Sequence, residues 1–461
     1  MKLVRTEAKF SVKELNRLFK AKLGADFDLS ICTDSRLIKP GQIFLPLKGK
    51  VFDGHKYINS IFEKQKERKD FQVFSFCEKK KIKNVKKQYR DKLIIVSNTL
   101  DAYHKLANYY REKINPRVVA ITGSSGKTTT KDLVSSVLSS RFKVHRTTAN
   151  FNNEIGVPKT ILEMSPDTEV LVLELAMRGK GEIEFLSKTA QPDIAVITNV
   201  GTAHIGRLGS LQSIVKAKCE ILKHLKKDGL AILSNDQKLL KTALQRWNGK
   251  TATFDLDQVS DISFSDGRTY FTLNVKKFCY EKYSVCALGN IHILNSLISI
   301  LVAKYLGLEQ LEIQRGLSVF KIPSGRGGLL QISKDIYLID ESYNANPDSV
   351  KAAVENLVEC WGNDYKKILV LGELAELGKY EDKLLYDLSM WLKTQGLGTI
   401  ITVGKRLKPF FSAPNVKNVS NIDQCRAILK KLLLPHSVAL VKGSHVAKLE
   451  KVIENLVKNK N

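Results

Sequence analysis

The chain has 461 residues, 43% of them hydrophobic and 26% charged, which is the balance of a globular protein with a core and too long for one domain of ~100–200 residues. Disorder is therefore not expected, and no apolar run approaches the ~18 residues that a membrane span needs. Lys+Arg 74 against Asp+Glu 47 give a formal net charge of +27, the footprint of a nucleic-acid binder, yet the basic residues are spread out. Their densest run, 79–92 (KKKIKNVKKQYRDK), lacks interleaved aromatics suited to base stacking, so it reads as a solvated basic face and no nucleic-acid partner is expected. Such a field also suits a polyanionic small substrate. The start, MKLVRTEAKF, has no apolar stretch after its basic residues, which predicts a cytoplasmic protein. Seven cysteines without a CxxC pair predict reduced, mostly buried thiols and argue against a zinc ribbon or a disulfide framework.

In chain order, the first 113 residues carry short strands, TDSR and FDGH turns and the lysine-rich run. A boundary is expected at Asn115-Pro116, where proline and its restricted predecessor favour an extended link. Buried, β-branched runs follow at 117–122 (RVVAIT), 170–175 (VLVLEL), 194–199 (IAVITN) and 229–234 (GLAILS), each with a loop and a helical pattern behind it. Residues 261–288 alternate as antiparallel hairpins do. A glycine-rich hinge is expected at 323–328 (PSGRGG), and a second series of buried strands at 336–340, 367–372, 399–403 and 438–441. The expected fold is α/β in three domains. Residues 1–113 form a smaller α/β domain, 114–322 a central, mostly parallel sheet with a phosphate loop, and 323–461 a Rossmann-like domain.

Residues 122–130 read TGSSGKTTT, between a predicted strand and a predicted helix (KDLVSSVLSS). Phosphate chemistry requires that order. Gly123 and Gly126 admit backbone N–H groups to the oxygens, the helix N-terminus adds partial positive charge, Lys127 reaches the terminal phosphates and the Thr128 hydroxyl can ligate magnesium. Ser124, Ser125 and Thr129 complete the expected ATP-binding loop. The glycine that opens the commonest form, GxxxxGK[ST], is Ile121 here, which argues against a motor or GTPase.

This variant resembles the loop of the Mur ligases and the folylpolyglutamate synthases. The resemblance continues through TTANFNNEIGVPKTIL (147–162), LELAMRGKGEIEFL (173–186), DIAVITNVGTAHIGRLGS (193–210), KAKCEI (216–221), IDESYNANPDSV (339–350), LGELAELG (371–378) and KGSHVAKLE (442–450), nearly the whole chain. NFNNEIGVP, SYNANPDS and TDSRLIKPGQIFLPLKG…FDGH (33–55) are similar to the Mur ligase branch that adds D-alanyl-D-alanine. The resemblance implies ATP-dependent ligation of that dipeptide to UDP-N-acetylmuramoyl-tripeptide through an acyl phosphate, with Mg2+ and by a monomer. A related ligase adding the third amino acid, or glutamate to folate, is the alternative enzyme; a phosphate-loop nucleic-acid binder is the alternative of another class.

Glu174 ends a buried strand, where a charge must be paired or bind metal; an ion pair and a magnesium ligand are both open, and the resemblance implies the ligand. His204 is a structural hydrogen-bonder or, by resemblance, a second metal ligand, with Asn199 behind it. Lys218 reads as one more helix-surface lysine; by resemblance it matches a lysine that is carbamylated and supports magnesium. The resemblance also implies ATP contacts at Asn295, Arg326 and Glu341, the UDP-sugar end at Ser35, Arg36, Asp53, Gly54 and His55, and further substrate contacts at Asn150, Asn152, Asn153, Tyr343, Asn344 and Asn346. A solvated hinge arginine at 326 and Asn-Pro turn chemistry at 346 are the bland alternatives. The chain departs from the family at Ile291 and His292, where a His-Asn pair is usual, at His445-Val446 and at Ala176-Met177.

Overall fold

The computed structural model describes residues 8–24, 27–49, 51–66, 73–276 and 279–457. The targeting expectation for the opening residues falls partly on residues 1–7, outside the described ones. The chain forms two compact units, one of residues 1–118, 143–175 and 185–191, the other of 119–142, 176–184 and 192–461. Among the described residues no helix is long and apolar enough to cross a membrane.

The first unit holds a five-stranded sheet of Lys9–Ser11, Asp28–Cys32, Gln42–Phe44, Phe74–Glu78 and Leu93–Val96, in that order, antiparallel only at the first pair. Phe44, Ile58, Ile61, Phe62, Val73 and Tyr89 pack on one side of it. Helix Thr99–Ile114 starts where the Asn98 side chain accepts the Leu100 and Asp101 amides, and it ends at Asn115, which adopts the left-handed conformation. The expected extended link is therefore a helix cap running straight into the strand Arg117–Thr122: asparagine tolerates positive φ, and Pro116 cannot continue a helix. The same unit pairs Val144–Arg146 in parallel with Val170–Glu174, all five residues of which are buried.

In the second unit, Lys250–Phe254, Leu230–Ser234, Ile194–Ile197 and residues 119–122 pair in parallel, in that order. Burial on both faces explains why all but the edge strand Lys250–Phe254 read as continuous apolar runs. Val259–Ser265, Arg268–Lys276 and Cys279–Val285 form the expected antiparallel sheet. The last sheet runs Gly328–Ser333, Ile336–Glu341, Ser437–Lys442, Lys366–Gly372, Thr399–Val403, Val416–Val419, parallel except for its first edge strand. Helices cover both its faces, sealing Val354, Leu357, Leu388 and Leu440 on one side and Ile401, Cys425, Leu429 and Val452 on the other. Each such side chain contributes roughly 1.5–3 kcal/mol when fully buried. The six cysteines with described side chains are free; Cys77, Cys219 and Cys425 are buried, while Cys32, Cys286 and Cys360 are half-buried.

Candidate functional site

The phosphate loop lies between Arg117–Thr122 and helix Lys127–Leu138. A Cβ on Gly123 would stand 1.8 Å from Thr198 Oγ1, and Gly126 caps the helix at φ +76° without a side-chain cap. The loop is held by its neighbour strand end. Thr198 Oγ1 donates to the Ser125 carbonyl (2.6 Å), and Asn199 Oδ1 accepts the amides of Ser124 (3.2 Å) and Ser125 (2.9 Å). Asn199 Nδ2 also donates to Ser125 Oγ at 2.8 Å, so this residue braces the loop, a role the sequence reading did not give it. Lys127 Nζ donates to the Gly123 carbonyl at 2.8 Å. Thr129 is buried, and Thr130 Oγ1 donates to Asn295 Oδ1 at 2.9 Å, tying the loop helix to helix Asn290–Tyr305.

Arg326 reaches this loop. Its Nη2 lies 3.5 Å from Thr128 Oγ1, and its guanidinium carbon stands 4.0 Å from the centre of the Tyr343 ring, a cation–π geometry that fixes the side chain. The expected hinge is anchored rather than loose: Gly325 and Gly327 donate to Asp340, and a Cβ on Gly325 would come 2.8 Å from that of Tyr343. Glu341 pairs with Lys442 at 2.5 Å. His292 is buried beside Gly327 and Glu341; burial pushes its imidazole down to about 4, against the pull of Glu341. His292 Nδ1, Asn356 Oδ1 and Trp361 Nε1 make no hydrogen bond and belong to residues lining one small cavity with Glu341.

Lys218 corrects the surface reading. At 1% exposure it is among the largest fully buried side chains, and among the described residues its amine meets no carboxylate. Burial first, and Lys127 second, push its amine well below the usual lysine range. His204 caps the short helix Ile205–Leu208 at φ +64°, and its Nδ1 contacts a carboxylate oxygen of Glu376. Burial lowers its imidazole, with Glu376 opposing and Lys218 and Lys127 assisting. No cluster of three or more His, Cys, Asp or Glu side chains fit for a metal occurs among the described residues.

In the first unit, Glu174 is 2% exposed; its carboxylate accepts Asn152 Nδ2 (2.8 Å) and its amide donates to Thr147 Oγ1 (3.1 Å). Asn153 Oδ1 accepts the Gly156 amide at the start of helix Gly156–Leu162, while Asn150 is exposed. Ser35 is half-buried, and Arg36 is exposed and forks onto Asp34 (2.9 and 2.7 Å). Asp53 caps Gly54–Tyr57 and holds His55 Nδ1 (2.8 Å) and Lys81 Nζ (2.7 Å). With the Glu78 amide donating to His55 Nε2, the Nδ1 carries the proton. Burial would raise the Asp53 carboxyl, but Lys81 and His55 hold it below the usual carboxylate range. Gly54 lies against the 46–47 backbone, 3.0 Å from where its Cβ would be.

Of the groups expected at the end of the chain, Tyr343 is exposed, the Asn344 carbonyl accepts Lys442 (3.3 Å), and Asn346 caps helix Pro347–Cys360 through the Ser349 amide (2.9 Å). The sequence reading missed Lys81, hidden in the lysine run, and Lys442 and Glu376, which lie in quoted segments but drew no role.

Comparison with known proteins gives three family matches: "Mur ligase family, catalytic domain" over residues 30–118, "Mur ligase middle domain" over 121–303 and "Mur ligase, glutamate ligase domain" over 325–445. The UDP-N-acetylmuramoyl-tripeptide--D-alanyl-D-alanine ligase of Bacillus subtilis (strain 168) is 35% identical over 93% of both chains. The protein of that name from Escherichia coli (strain K12) is 30% identical over 97% of this chain and 98% of its own. Among solved structures, MurF from Acinetobacter baumannii superposes with a TM-score of 0.86 at 27% identity, covering 98% of this chain and 100% of that one. MurF ligase from Thermotoga maritima in complex with ADP gives 0.81 at 25%, covering 96% and 98%.

Proposed function

Because the chain belongs to the Mur ligase family, we propose that it joins D-alanyl-D-alanine to UDP-N-acetylmuramoyl-tripeptide, with ATP converted to ADP and phosphate. It is an ATP-dependent peptide ligase of cell-wall precursor synthesis. The observation that carries this is likeness along the whole chain to ligases of that name, at 35% identity over 93% of the length. Folylpolyglutamate synthase, at 15% identity, shares the fold alone.

An oxygen of the tripeptide's terminal carboxylate attacks the γ-phosphorus of ATP; the bond to the bridging oxygen breaks and ADP leaves. The dipeptide's amine then attacks the acyl carbon, phosphate departs with the former carboxylate oxygen, and the amine proton passes to solvent. Negative charge gathers on the transferring phosphoryl group, so cations and oriented N–H groups do most of the work. Lys127 and Arg326 supply that positive charge, and the amides at the start of helix Lys127–Leu138 supply donors. Asp53 and His55 hold the nucleotide end with Ser35, Arg36 and Gly54. Asn150, Asn152, Asn153, Tyr343, Asn344 and Asn346 meet the peptide ends. Asn295 and Glu341 meet the nucleotide.

The donor chemistry of these residues suits magnesium once Lys218 is carbamylated. A buried amine without a carboxylate, like that of Lys218, favours the neutral form that carbamate formation requires, and a carbamate is the oxygen ligand that magnesium prefers. Thr128, Glu174, His204 and carbamylated Lys218 would hold the ion, which would supply charge neutralisation at the phosphate oxygens. We assign residues 1–113 to the UDP-substrate, 114–322 to ATP and 323–461 to closure and the dipeptide, acting as a monomer in the cytoplasm, where ATP is available.

The test is ADP formation. Wild-type enzyme given ATP, UDP-N-acetylmuramoyl-tripeptide and D-alanyl-D-alanine should release ADP, and Lys127→Ala should turn over at least ~10²-fold more slowly. Near-normal turnover in the variant would remove the phosphate-loop assignment.

A further inference from the structure

Loop 199–210 of the second unit is gripped from two directions. On one side the Gly201 amide donates to Ser124 Oγ of the phosphate loop at 2.9 Å. On the other, the loop meets residues that follow the 323–328 segment. Thr202 donates both its amide (2.5 Å) and its hydroxyl (2.7 Å) to Asp348 Oδ2, at the start of helix Pro347–Cys360. Gly206 donates its amide to the Glu376 carbonyl at 3.2 Å, and a Cβ there would stand 2.7 Å from that oxygen. Tyr380 Oη donates to the Gly209 carbonyl at 2.5 Å. Glu376 itself contacts His204 Nδ1, and its other oxygen lies 3.5 Å from Arg207 Nη2.

Two non-glycine residues face one another here in the left-handed region, His204 at φ +64° and Glu376 at φ +63°. That conformation is uncommon for such residues and persists only where the surroundings enforce it. Three residues before Glu376, the Glu373 carbonyl accepts the Ser444 amide at 3.1 Å.

We propose that Glu376 is a positioning residue for the ligation: its carboxylate, in contact with His204 Nδ1, holds the ring so that Nε2 is the nitrogen left for a ligand, and so makes the His204 geometry depend on docking of the 323–461 segment. Asp348, through Thr202 and Gly201, carries the same docking to Ser124 of the phosphate loop. The inference rests on the ligase reading given above. It adds that the catalytic geometry is complete only while Asp348 and Glu376 are seated on loop 199–210.

The experiment uses the full chain with Glu376→Ala, Glu376→Gln and Asp348→Ala. Glu376→Ala is expected to lower kcat about 10-fold or more while KM for ATP changes by less than about twofold, the effect of losing a group that orients a ligand rather than one that binds substrate. Glu376→Gln, which keeps a side-chain oxygen and nearly the same shape against Nδ1, should recover most of the loss. Hydrogen exchange in residues 199–210, with a non-hydrolysable ATP analogue and UDP-N-acetylmuramoyl-tripeptide bound, should be slow in the wild type and Glu376→Gln and faster in Glu376→Ala and Asp348→Ala. Wild-type kcat in Glu376→Ala, equal losses in the two Glu376 variants, or unchanged exchange would each overturn the proposal. A wild type that forms no ADP would defeat the ligase reading, and the exchange measurement would still decide whether the docking exists.

Discussion

Burial, and a second ammonium nearby, push the Lys218 amine well below the usual lysine range, which favours its neutral form. As a carbamate it would bring negative charge where magnesium needs it. Lys218→Ala is therefore expected to be inactive and partly rescued by small carboxylic acids that occupy the vacated space, while Lys218→Arg, which keeps the charge, stays inactive. Full activity in Lys218→Arg would end the carbamate assignment. Nothing in KAKCEI distinguishes this lysine from the many on helix surfaces, because burial depends on what packs over the helix; only the resemblance singled it out. His292 is a different kind of departure. Its folded-state value of about 4 lies below the ordinary 6.5, so between these the unfolded chain binds a proton that the folded chain does not. Stability is thus expected to be full above about 6.5 and to fall as pH drops towards 4, by at most about 3 kcal/mol. His292→Asn, the family's usual residue, should lose less stability than the wild type over that window in denaturant titrations at several pH values. Parallel curves for the two proteins would show that the imidazole is not the source.

Helix Pro347–Cys360 shows how an element and a site share a residue. Asn346 closes a capping box with Ser349, and Pro347 fills the first turn, where its missing N–H is not needed. The capping oxygen is occupied; the amide nitrogen of the same side chain is the group proposed to meet the dipeptide. Asn346→Asp retains the capping acceptor and removes that donor, so the midpoint of thermal unfolding should hold while KM for D-alanyl-D-alanine rises several-fold. An unchanged KM would leave the residue as a cap alone. Elements of this kind were legible from sequence: the strands expected at 117–122 and 399–403 run Arg117–Thr122 and Thr399–Val403, because buried parallel strands are written as unbroken apolar runs. The link at Asn115-Pro116 was not, since proline restricts its predecessor but does not say that an asparagine will cap the helix before it. The loop-bracing role of Asn199 was hidden for a similar reason. Its position at a strand end was visible, but its two loop amides were not, because those hydrogen bonds join residues more than seventy apart.

Across the whole molecule, the proposed reaction draws Asp53 from residues 1–113, Lys127, Asn152, Glu174, His204 and Lys218 from residues 114–322, and Arg326 from residues 323–461. Binding a non-hydrolysable ATP analogue and the UDP-linked tripeptide together should therefore reduce the radius of gyration in solution scattering, more than either ligand alone. No change with both saturating would argue for a site completed without movement. The division between the units is not a cut at one point in the chain. His104 donates or accepts at Thr189 Oγ1 (2.6 Å) and the Glu154 carbonyl (2.7 Å), Tyr110 donates to the Met164 carbonyl (2.8 Å), and the Ala8 amide donates to Leu162 (3.0 Å). These partners come from segments 143–175 and 185–191, which leave the ribosome after the stretch 119–142 has already emerged. During synthesis the first unit must wait, unfinished, until residue 191 is free of the exit tunnel, with the strand and helix of the phosphate loop held in the meantime by neither unit's completed core. An N-terminal piece ending at residue 118 would then be a fragment with its buried polar partners missing, and a truncation series made to isolate the nucleotide-sugar site would have to keep the chain through residue 191.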